Sequence, residues 1–358
     1  MRPGGASPAE RRNPPGPRAA GVDLTAGVVR AVVGRAEAGR LRVLGRGETA
    51  LPRDAMAGAL VVDPRGVAAG VASALAAAEQ GVPTGRVVVA IDGDDVRTYH
   101  LSMPFERDPS TAPIARAEVD RAVREAREDA GRRAQLAVAE DPALRGVATA
   151  RLSEDVAALV LDGRQLESVL GYRGRALEVH TDVAVAPLVL SGAALATVAS
   201  LRRSAFAVPG IYALARLVAE SGIADAGVVR LGLDVTALAI LRQRRVVGTR
   251  VFGLGRSAFA AREDSRDDDA RVWAECVTLP VASDDLPPPE RWLFLGVPET
   301  LLALPNALAA LVGAARGAPA RIGPLPPGTL SRVFADAPLH ADDLVAVGAC
   351  ALAAGVYS

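Results

Sequence analysis

The sequence contains no lysine and few aromatic residues. All 41 basic residues of the 358-residue chain are arginine, a bias that we attribute to coding composition and that excludes no class of function. Aromatic residues make up only 3% of the chain, although half of the residues are apolar. Because a chain of this length can form two domains with a sizeable core, we expect that core to be built mainly from alanine, valine and leucine.

Cysteine and histidine are also scarce. The two cysteines, Cys276 and Cys350, are far apart in the sequence, and the three histidines are scattered at His100, His180 and His340. Zinc sites need closely spaced groups of such ligands, and disulfide frameworks need several cysteines. The sequence therefore favours a reduced, cytoplasmic protein without a bound metal.

An excess of one charge and a clear membrane segment are missing as well. The formal net charge is zero, so no global field attracts nucleic acid or an anionic membrane. Residues 1–20 are rich in proline, glycine and arginine and lack the apolar core of a signal peptide, which predicts a disordered arm. The longest charge-free apolar stretch, residues 183–201, contains Pro187 and Gly192 and favours a buried strand followed by a helix over a membrane span.

Two distant segments share one pattern. Residues 21–30 are GVDLTAGVVR, and residues 228–240 are VVRLGLDVTALAI. Each segment predicts a strand, a tight turn and a second strand. The pair resembles the two hairpins that hold the phosphates of a nucleotide in duplicated ATPase domains of the actin type. It predicts an α/β protein with a duplicated actin-like, ribonuclease H-like fold.

The order of elements around the first hairpin supports this fold. The predicted elements are strands over residues 22–33 and 41–49, a helix over residues 61–78 that starts at Asp63-Pro64, and a buried strand over residues 86–91. This order is typical of the first half of an actin-like domain. We therefore assign residues 21–104 to the first actin-like domain.

The next segment is additional to the minimal nucleotide-binding half of an actin-like fold. It predicts a charged helix over residues 114–130, strands over residues 147–161 and, within residues 171–183, a glycine-hinged turn followed by an alternating strand. We interpret residues 105–185 as a small inserted α+β subdomain. Residues 186–358 then complete the first domain, beginning with a helix over residues 187–200, and form a reduced second actin-like domain.

Three local matches connect the chain to a family. Residues 160–163, VLDG, followed by residues 171–178, GYRGRALE, are similar to the stretch of FtsA with a Val-Asp-Gly turn and a Gly-x-x-Gly-x-x-Leu-Glu sequence. Residues 87–93 and 114–122 resemble the strand before the FtsA insertion and its first helix. The chain thus resembles FtsA, the actin-like bacterial cell-division protein, over residues 21–256 and again near 292–355. The related pilus-assembly protein PilM is the alternative family.

The resemblance places candidate nucleotide-binding residues in four turns. They are Asp23, Thr25 and Arg30; Arg230, Gly232, Asp234 and Thr236; Gly253 and Gly255; and Gly296. In the actin-like pattern the first turn is Asp-x-Gly-Thr, where the glycine lets the backbone approach the phosphates. Here Thr25 takes the glycine position and Ala26 the hydroxyl position. Because a β-branched residue resists positive φ, we expect Thr25 to crowd the phosphate side.

The second turn departs further from the family pattern. Without gaps, Arg230 takes the position of the Asp that the family associates with the metal-bound water. A guanidinium offers only hydrogen-bond donors and stays charged, so it cannot replace a carboxylate near Mg²⁺. We predict that Arg230 lies in the cleft and pairs with Asp23, since an unpaired buried charge is costly. An alternative register aligns Asp234 with Asp23 and restores a carboxylate.

The remaining turns and the reduced second half also match a nucleotide-binding site less well than the family pattern does. Residues 253–257, GLGRS, either present backbone N–H groups to an anion or simply connect a strand to a helix. Val297 and Pro298 follow Gly296 and narrow the space for a purine. Between residues 257 and 289, where FtsA carries the subdomain that covers the nucleotide and contacts FtsZ, we predict only a strand and a loop. The acidic run 263–269 predicts a solvated loop, because it lacks a metal-binding spacing.

The resemblance implies an FtsA-like cytoplasmic scaffold or adaptor in bacterial cell division. Its nucleotide site would be degenerate, with no catalytic residue and either no cofactor or weakly bound ATP and Mg²⁺. Its partners would be FtsZ-like or membrane-anchored division proteins, or further copies of the chain. We expect no direct membrane anchor, because the chain ends without the basic amphipathic helix of FtsA. Either a partner recruits the protein to the inner face of the membrane, or it has no membrane link. The alternatives are an active ATP-binding actin-like ATPase and a PilM-like pilus-assembly adaptor.

Overall fold

Strands and helices alternate through the first part of the chain. The computed structural model describes residues 16–259, 266–282 and 288–357. In chain order, the elements of the first part are β1 (Ala19–Thr25), β2 (Val28–Glu37), β3 (Arg40–Ala50), β4 (Met56–Ala57), β5 (Leu60–Val61), α1 (Pro64–Glu79), β6 (Arg86–Ile91), β7 (Arg97–Glu106), α2 (Arg116–Glu140), β8 (Thr149–Leu161), β9 (Arg164–Leu166), β10 (Ala176–Pro187), α3 (Leu188–Ala199), β11 (Ser204–Pro209) and α4 (Gly210–Glu220).

The second part begins after α4. Its elements are β12 (Ala226–Leu231), β13 (Thr236–Arg242), β14 (Arg245–Phe252), α5 (Arg256–Phe259), α6 (Arg266–Ala282), β15 (Arg291–Leu295), α7 (Ala303–Arg316), β16 (Arg321–Pro324), β17 (Val333–Ala335) and α8 (Leu344–Ala353), with short 3-10 helices at Glu299–Leu301, Pro327–Thr329 and Ala341–Asp343. Among the described residues, no helix is both long and apolar enough to cross a bilayer. The segment 183–201 forms the end of β10 and then α3, as predicted.

The first large sheet has the order β11-β6-β1-β2-β3-β17. The strands β1, β2 and β3 form an antiparallel meander, β6 pairs in parallel with β1, and β11 pairs in parallel with β6. Helices α1 and α3 pack on one face, whereas α4 and α8 pack on the other. Helix α8 lies so close to β1 that a Cβ at Gly21 would sit 2.1 Å from the carbonyl oxygen of Ala346.

Local capping explains where α1 begins. The Asp63 side chain accepts hydrogen bonds from the backbone N–H groups of Arg65 and Gly66, both at 3.1 Å, and Pro64 occupies the first helical position. Both features favour a helix start, so the predicted start signal is confirmed. The predicted helix began earlier, at residue 61, because β5 was not recognised.

The second large sheet repeats the arrangement of the first. Its order is β14-β13-β12-β15-β16, with β12, β13 and β14 as an antiparallel meander and β15 parallel to β12. Helix α4 lies between the two sheets and is buried from Gly210 to Ala219. The duplicated architecture predicted from the two hairpins is therefore present, with α4 as the shared central element.

Helix α6 corrects one sequence prediction. Between residues 257 and 289 we predicted a strand and a loop, but α6 packs on the second sheet through buried residues that include Trp273 and Val277. The last three residues of the acidic run, Asp267, Asp268 and Asp269, lie in its first turn, where the helix dipole favours negative charge. Residues 260–265 and 283–287 lie outside the described part.

The inserted segment forms a sheet of its own, with the order β7-β10-β8-β9. Helix α2 covers one face with an alanine stripe at Ala122, Ala126, Ala130 and Ala134. This sheet starts at the beginning of β7, so the predicted boundary at residue 105 falls inside a strand. Helix α2 continues to Glu140, well past the predicted end at residue 130. The predicted N-terminal arm overlaps β1 by two residues, and its residues 1–15 lie outside the described part.

Candidate functional site

A small cavity lies between the two large sheets, where β1 and β12 end. Its volume is about 20 Å³, which is room for about one water molecule. The cavity is lined by Thr25, Arg30, Arg230, Leu231, Gly232, Leu233, Arg256, Leu295, Gly296, Asp342 and Val345. Five of the ten residues predicted from the sequence therefore line one site: Thr25, Arg30, Arg230, Gly232 and Gly296.

Arg230 forms a buried clasp across the cleft. Its Nη2 lies 2.5 Å from Oδ2 of Asp23, and its Nη1 lies 3.0 Å from Oδ2 of Asp92. The three residues are 9%, 1% and 7% exposed, respectively. The ion pair predicted between Arg230 and Asp23 is thus confirmed. Because Arg230 lies on β12 of the second sheet, whereas Asp23 lies on β1 and Asp92 directly after β6 of the first, the clasp holds the two halves together.

Asp92 is the residue of the clasp that the sequence analysis did not single out. It directly follows β6, the parallel neighbour of β1. The carboxyl ends of neighbouring parallel strands open to the same edge of a sheet, where ligands bind in α/β proteins. The position of Asp92 directly after a buried strand was the sequence feature that could have identified it. Asp92 also accepts a hydrogen bond through Oδ1 from the backbone N–H of Ile211, at 2.8 Å, in the first turn of α4.

One guanidinium faces two carboxylates in this clasp, which leaves an excess negative charge. Burial raises the pKa of Asp23 above its ordinary value, and the charge of Arg230 offsets this only in part. Burial alone would lower the pKa of Arg230, but the charges of Asp23 and Asp92 raise it overall. Within the described part of the chain, Oδ1 of Asp23 has no hydrogen-bond partner. Arg230 therefore stays charged and fixed between the two acids.

Asp234 makes a second link between the halves. Strand β12 ends at Leu231, so Asp234 lies inside the turn before β13 rather than at the end of a strand. The alternative register that aligns Asp234 with Asp23 is therefore wrong. The Asp234 carboxylate accepts hydrogen bonds from the backbone N–H of Gly58 at 3.1 Å and from Oγ of Ser257 at 3.4 Å.

The first turn differs from the predicted geometry. Thr25 is the last residue of β1 and pairs with Val28, and the positive φ of 82° falls on Gly27. Thr25 therefore keeps extended geometry, and the positive φ expected at the glycine position of this turn falls two residues later. Arg30 faces the cavity but is held by two exposed carboxylates, Glu48 at 3.1 Å and Asp342 at 3.4 Å.

The backbone N–H groups of the third turn already donate hydrogen bonds within the protein. The N–H groups of Gly255, Arg256 and Ser257 donate to the carbonyl oxygens of Asp234, Gly232 and Leu233, at 2.9–3.0 Å. A Cβ at Gly255 would sit 2.3 Å from the carbonyl oxygen of Leu233, so this glycine serves close packing of the two turns. Neither Gly253 nor Gly255 lines the cavity described above.

The Thr236 hydroxyl makes two hydrogen bonds within the protein, and Gly296 lines the cavity. The hydroxyl of Thr236 donates to the carbonyl oxygen of Leu254 at 2.6 Å and accepts from Nε1 of Trp273 at 2.9 Å. Gly296 has a φ of 73°, and a Cβ there would sit 2.5 Å from the carbonyl oxygen of Leu231. Only a glycine fits this position without strain.

Arg256 adds a third guanidinium to the cavity wall. Its side chain makes no ion pair with any described residue, and its Nε has no hydrogen-bond partner there. Burial lowers the pKa of Arg256; the charge of Asp342 opposes this shift, whereas the charges of Arg30 and Arg230 add to it. The cavity wall therefore carries more positive than negative groups.

The chain is similar in fold to several solved proteins. A chain of a PilM-PilN type IV pilus biogenesis complex is 18% identical with a TM-score of 0.54, and the match covers 94% of this chain and 98% of that one. The ethanolamine utilization protein EutJ from Carboxydothermus hydrogenoformans is 14% identical with a TM-score of 0.46, covering 95% and 91%. A ROK family glucokinase from Streptomyces griseus, solved with glucose and AMPPNP, is 12% identical with a TM-score of 0.44, covering 94% and 99%.

These similarities show the fold alone. No family model matches the sequence, and no curated protein matches it. The chain has the actin-like ATPase fold, so the predicted fold class is confirmed. Proteins with this fold commonly bind ATP and Mg²⁺, and the residues present here do not fit that ligand. Arg230 fills the space between Asp23 and Asp92, and the cavity beside it has a volume of only about 20 Å³.

Proposed function

We propose that this chain is a cytoplasmic, actin-like adaptor that binds protein partners and does not turn over ATP. The observation that carries this proposal is the clasp of Arg230 with Asp23 and Asp92. A guanidinium remains charged at all physiological pH values and presents only donors. Opening the cleft would leave both carboxylates without their countercharge. The clasp therefore keeps the two halves closed without any ligand.

The first test is nucleotide binding and turnover. We expect the dissociation constant for ATP with Mg²⁺ to be weaker than about 1 mM, which corresponds to about −4 kcal/mol, because Arg230 must leave its carboxylates before phosphates can enter. Phosphate release should be undetectable. Isothermal titration calorimetry and a phosphate-release assay measure these quantities. Micromolar binding together with turnover would contradict the proposal and support the active-ATPase alternative.

The partner surface that we favour is the face of the inserted sheet opposite α2. Pro104, Glu178 and Val160 are direct cross-strand neighbours on β7, β10 and β8. The adjacent Leu177 is buried with the residues that pack against α2, so the alternating side chains of these three residues point away from that helix. They are partly or fully exposed. This leaves the part of that face around Pro104, Glu178 and Val160 available for a protein segment. Further along β10, the same face packs on the rest of the chain, where His180 contacts Arg245 of β14 and Asp182 contacts Tyr212 of α4.

Two processes are consistent with such an adaptor. The motif that resembles FtsA supports a role in cell division, with an FtsZ-like or membrane-anchored partner. The similarity to a chain of the PilM-PilN complex supports a role in pilus assembly, with a segment of a membrane-anchored protein as partner. In both cases the partner would bring this chain to the membrane. We place the division role first and the pilus role second.

Binding assays with two probes separate these roles. The probes are a purified FtsZ-like protein and a synthetic peptide from the cytoplasmic segment of a PilN-type protein, both from the same genome. We expect one probe to bind and Val160→Arg to weaken that binding by at least about tenfold, or 1.4 kcal/mol. Leu136→Arg is the matched control, because Leu136 is 66% exposed on α2. Equal loss in both variants, or binding of neither probe, would contradict the proposed surface.

A further inference from the structure

A second buried charge cluster lies where the inserted sheet meets α4. At its centre is Tyr212 of α4, which is 1% exposed. The Tyr212 hydroxyl oxygen is 2.9 Å from Oδ2 of Asp155 on β8 and also 2.9 Å from Oδ2 of Asp182 on β10. None of these residues takes part in the clasp. Both distances are normal for hydrogen bonds between oxygens.

The number of protons in this cluster does not match two ionised acids. A tyrosine hydroxyl has one proton, so it can donate to only one of the two carboxyl groups. The other contact then brings two oxygen lone pairs together, unless that carboxyl group carries a proton and donates to the hydroxyl. A buried pair of unmatched acceptors is costly. The geometry therefore requires one additional proton.

His100 limits where that proton can be. Its Nδ1 is 2.8 Å from Oδ1 of Asp182, and its Nε2 is buried without a hydrogen-bond partner among the described residues. A protonated imidazole would leave a buried charged N–H group unpaired, which is unfavourable. A neutral His100 instead donates from Nδ1 to Asp182. Asp182 then accepts from both His100 and Tyr212, and the additional proton falls to Asp155.

The charge of Arg216 opposes this assignment, but Arg216 is not bound to Asp155 alone. Nε of Arg216 lies 3.3 Å from Oδ2 of Asp155 but makes no hydrogen bond there. Arg216 also shares its charge with Glu220, at 3.4 Å. The charged and titratable groups near the cluster are Arg127 on α2, His100 on β7, Glu154 on β8, Glu178 and His180 on β10, Arg216 and Glu220 on α4, Arg245 on β14 and Tyr357 at the end of the chain.

We propose that Asp155, Tyr212 and Asp182 form a proton-binding site that makes the docking of the inserted sheet on α4 sensitive to pH. With the proton bound, Asp155 donates to Tyr212 and Tyr212 donates to Asp182, so every contact is a hydrogen bond. When the proton leaves, the contact between Asp155 and Tyr212 becomes repulsive. The inserted sheet is then held less firmly, and its orientation relative to the core changes with pH.

The direction of the pH effect follows from the pKa of Asp155. Burial raises this pKa above the ordinary value of 3.8, against the opposing charge of Arg216. A group whose pKa is raised in the folded state stabilises that state fully below its unfolded pKa, and loses this contribution as the pH rises through its folded pKa. Docking should therefore weaken as the pH increases above about 4.

Carboxyl-carbon NMR of the full chain tests the site directly. We expect one carboxyl group of the Asp155–Asp182 pair to titrate at a higher pH than most of the other aspartates. In Asp155→Asn this late titration should disappear, because the amide supplies a permanent donor to Tyr212. If both carboxyl groups in the wild-type chain ionise together with the other aspartates, the proposal is wrong. This result does not depend on whether the variant folds.

Thermal unfolding gives an independent measurement. The midpoint temperature of the wild-type chain should fall relative to that of Asp155→Asn between pH 4 and pH 8. Asp120→Asn is the matched control, because the Asp120 side chain is 56% exposed and lies outside the cluster. It should follow the wild-type profile. Parallel profiles for the wild type and Asp155→Asn would also overturn the proposal.

Discussion

Replacing Arg230 by glutamine is expected to lower the free energy of unfolding by about 3–5 kcal/mol, because it leaves Asp23 and Asp92 as a buried pair without a countercharge. Urea denaturation at pH 7.5 measures this change. The matched control is Arg30→Gln, which removes another guanidinium from the same cavity. The two partners of Arg30, Glu48 and Asp342, have side chains that are 48% and 52% exposed, so we expect a loss below about 1 kcal/mol.

The pH dependence of the Arg230→Gln variant provides a second, independent check. In the wild type, burial raises the pKa of Asp23 and the charge of Arg230 lowers it. Without Arg230 that pKa rises further, so the variant loses stability as the pH increases through the new value and regains it at lower pH. The difference from the wild type should be smaller at pH 4.5 than at pH 8. A similar difference at both pH values, or an equally large effect of Arg30→Gln, would contradict the clasp.

The clasp was predictable only in part. The two hairpins have matching sequence patterns, and that match alone predicts that Asp23 and Arg230 lie opposite each other. The sequence pointed less clearly to Asp92 as a partner of Arg230, because short acidic turns follow strands for many different reasons. Its role depends on β6 lying beside β1, which is a long-range pairing. A sequence shows such pairings only indirectly.

The sequence could not show whether backbone N–H groups are free to bind a ligand or already donate hydrogen bonds within the protein. The glycine-rich segment 253–257 has the composition of an anion-binding turn, but its N–H groups donate to carbonyl oxygens of the turn that contains Asp234. That outcome depends on how two turns pack, and not on the composition of either one. In the same way, the three aspartates that begin α6 suggested a solvated loop, although negative charge also favours the first turn of a helix.

The motif that resembles FtsA also has a local structural purpose. Asp162 and Gly163 form the turn after β8 with positive φ values of 48° and 78°. The Asp162 carboxylate accepts hydrogen bonds from the backbone N–H groups of Arg175 and Ala176, at 3.0 Å and 2.8 Å, and these bonds lower its pKa. A motif that stabilises a turn is expected in any protein with this insertion. For this reason it supports the insertion more strongly than it supports a role in cell division.

Arg230→Asp is expected to make the stability of the chain depend on divalent cations. This substitution places a third carboxylate beside Asp23 and Asp92, so the metal-free variant should be less stable than Arg230→Gln. Carboxylate oxygens are the ligands that Mg²⁺ and Mn²⁺ prefer. A cation bound only by the folded state should restore about 2.7 kcal/mol when its concentration reaches about 100 times the dissociation constant.

Thermal unfolding with increasing Mg²⁺ or Mn²⁺ measures the restored stability of Arg230→Asp. The matched control is Arg230→Asn, which has nearly the same size but adds no charge, and the wild-type chain is the second control. Neither control should gain stability comparable to that of the aspartate variant, because the asparagine adds no anionic ligand and Arg230 occupies the site in the wild type. An equal gain in all three proteins would indicate binding elsewhere. No gain in Arg230→Asp would show that the guanidinium does not take the place of a cation between these carboxylates.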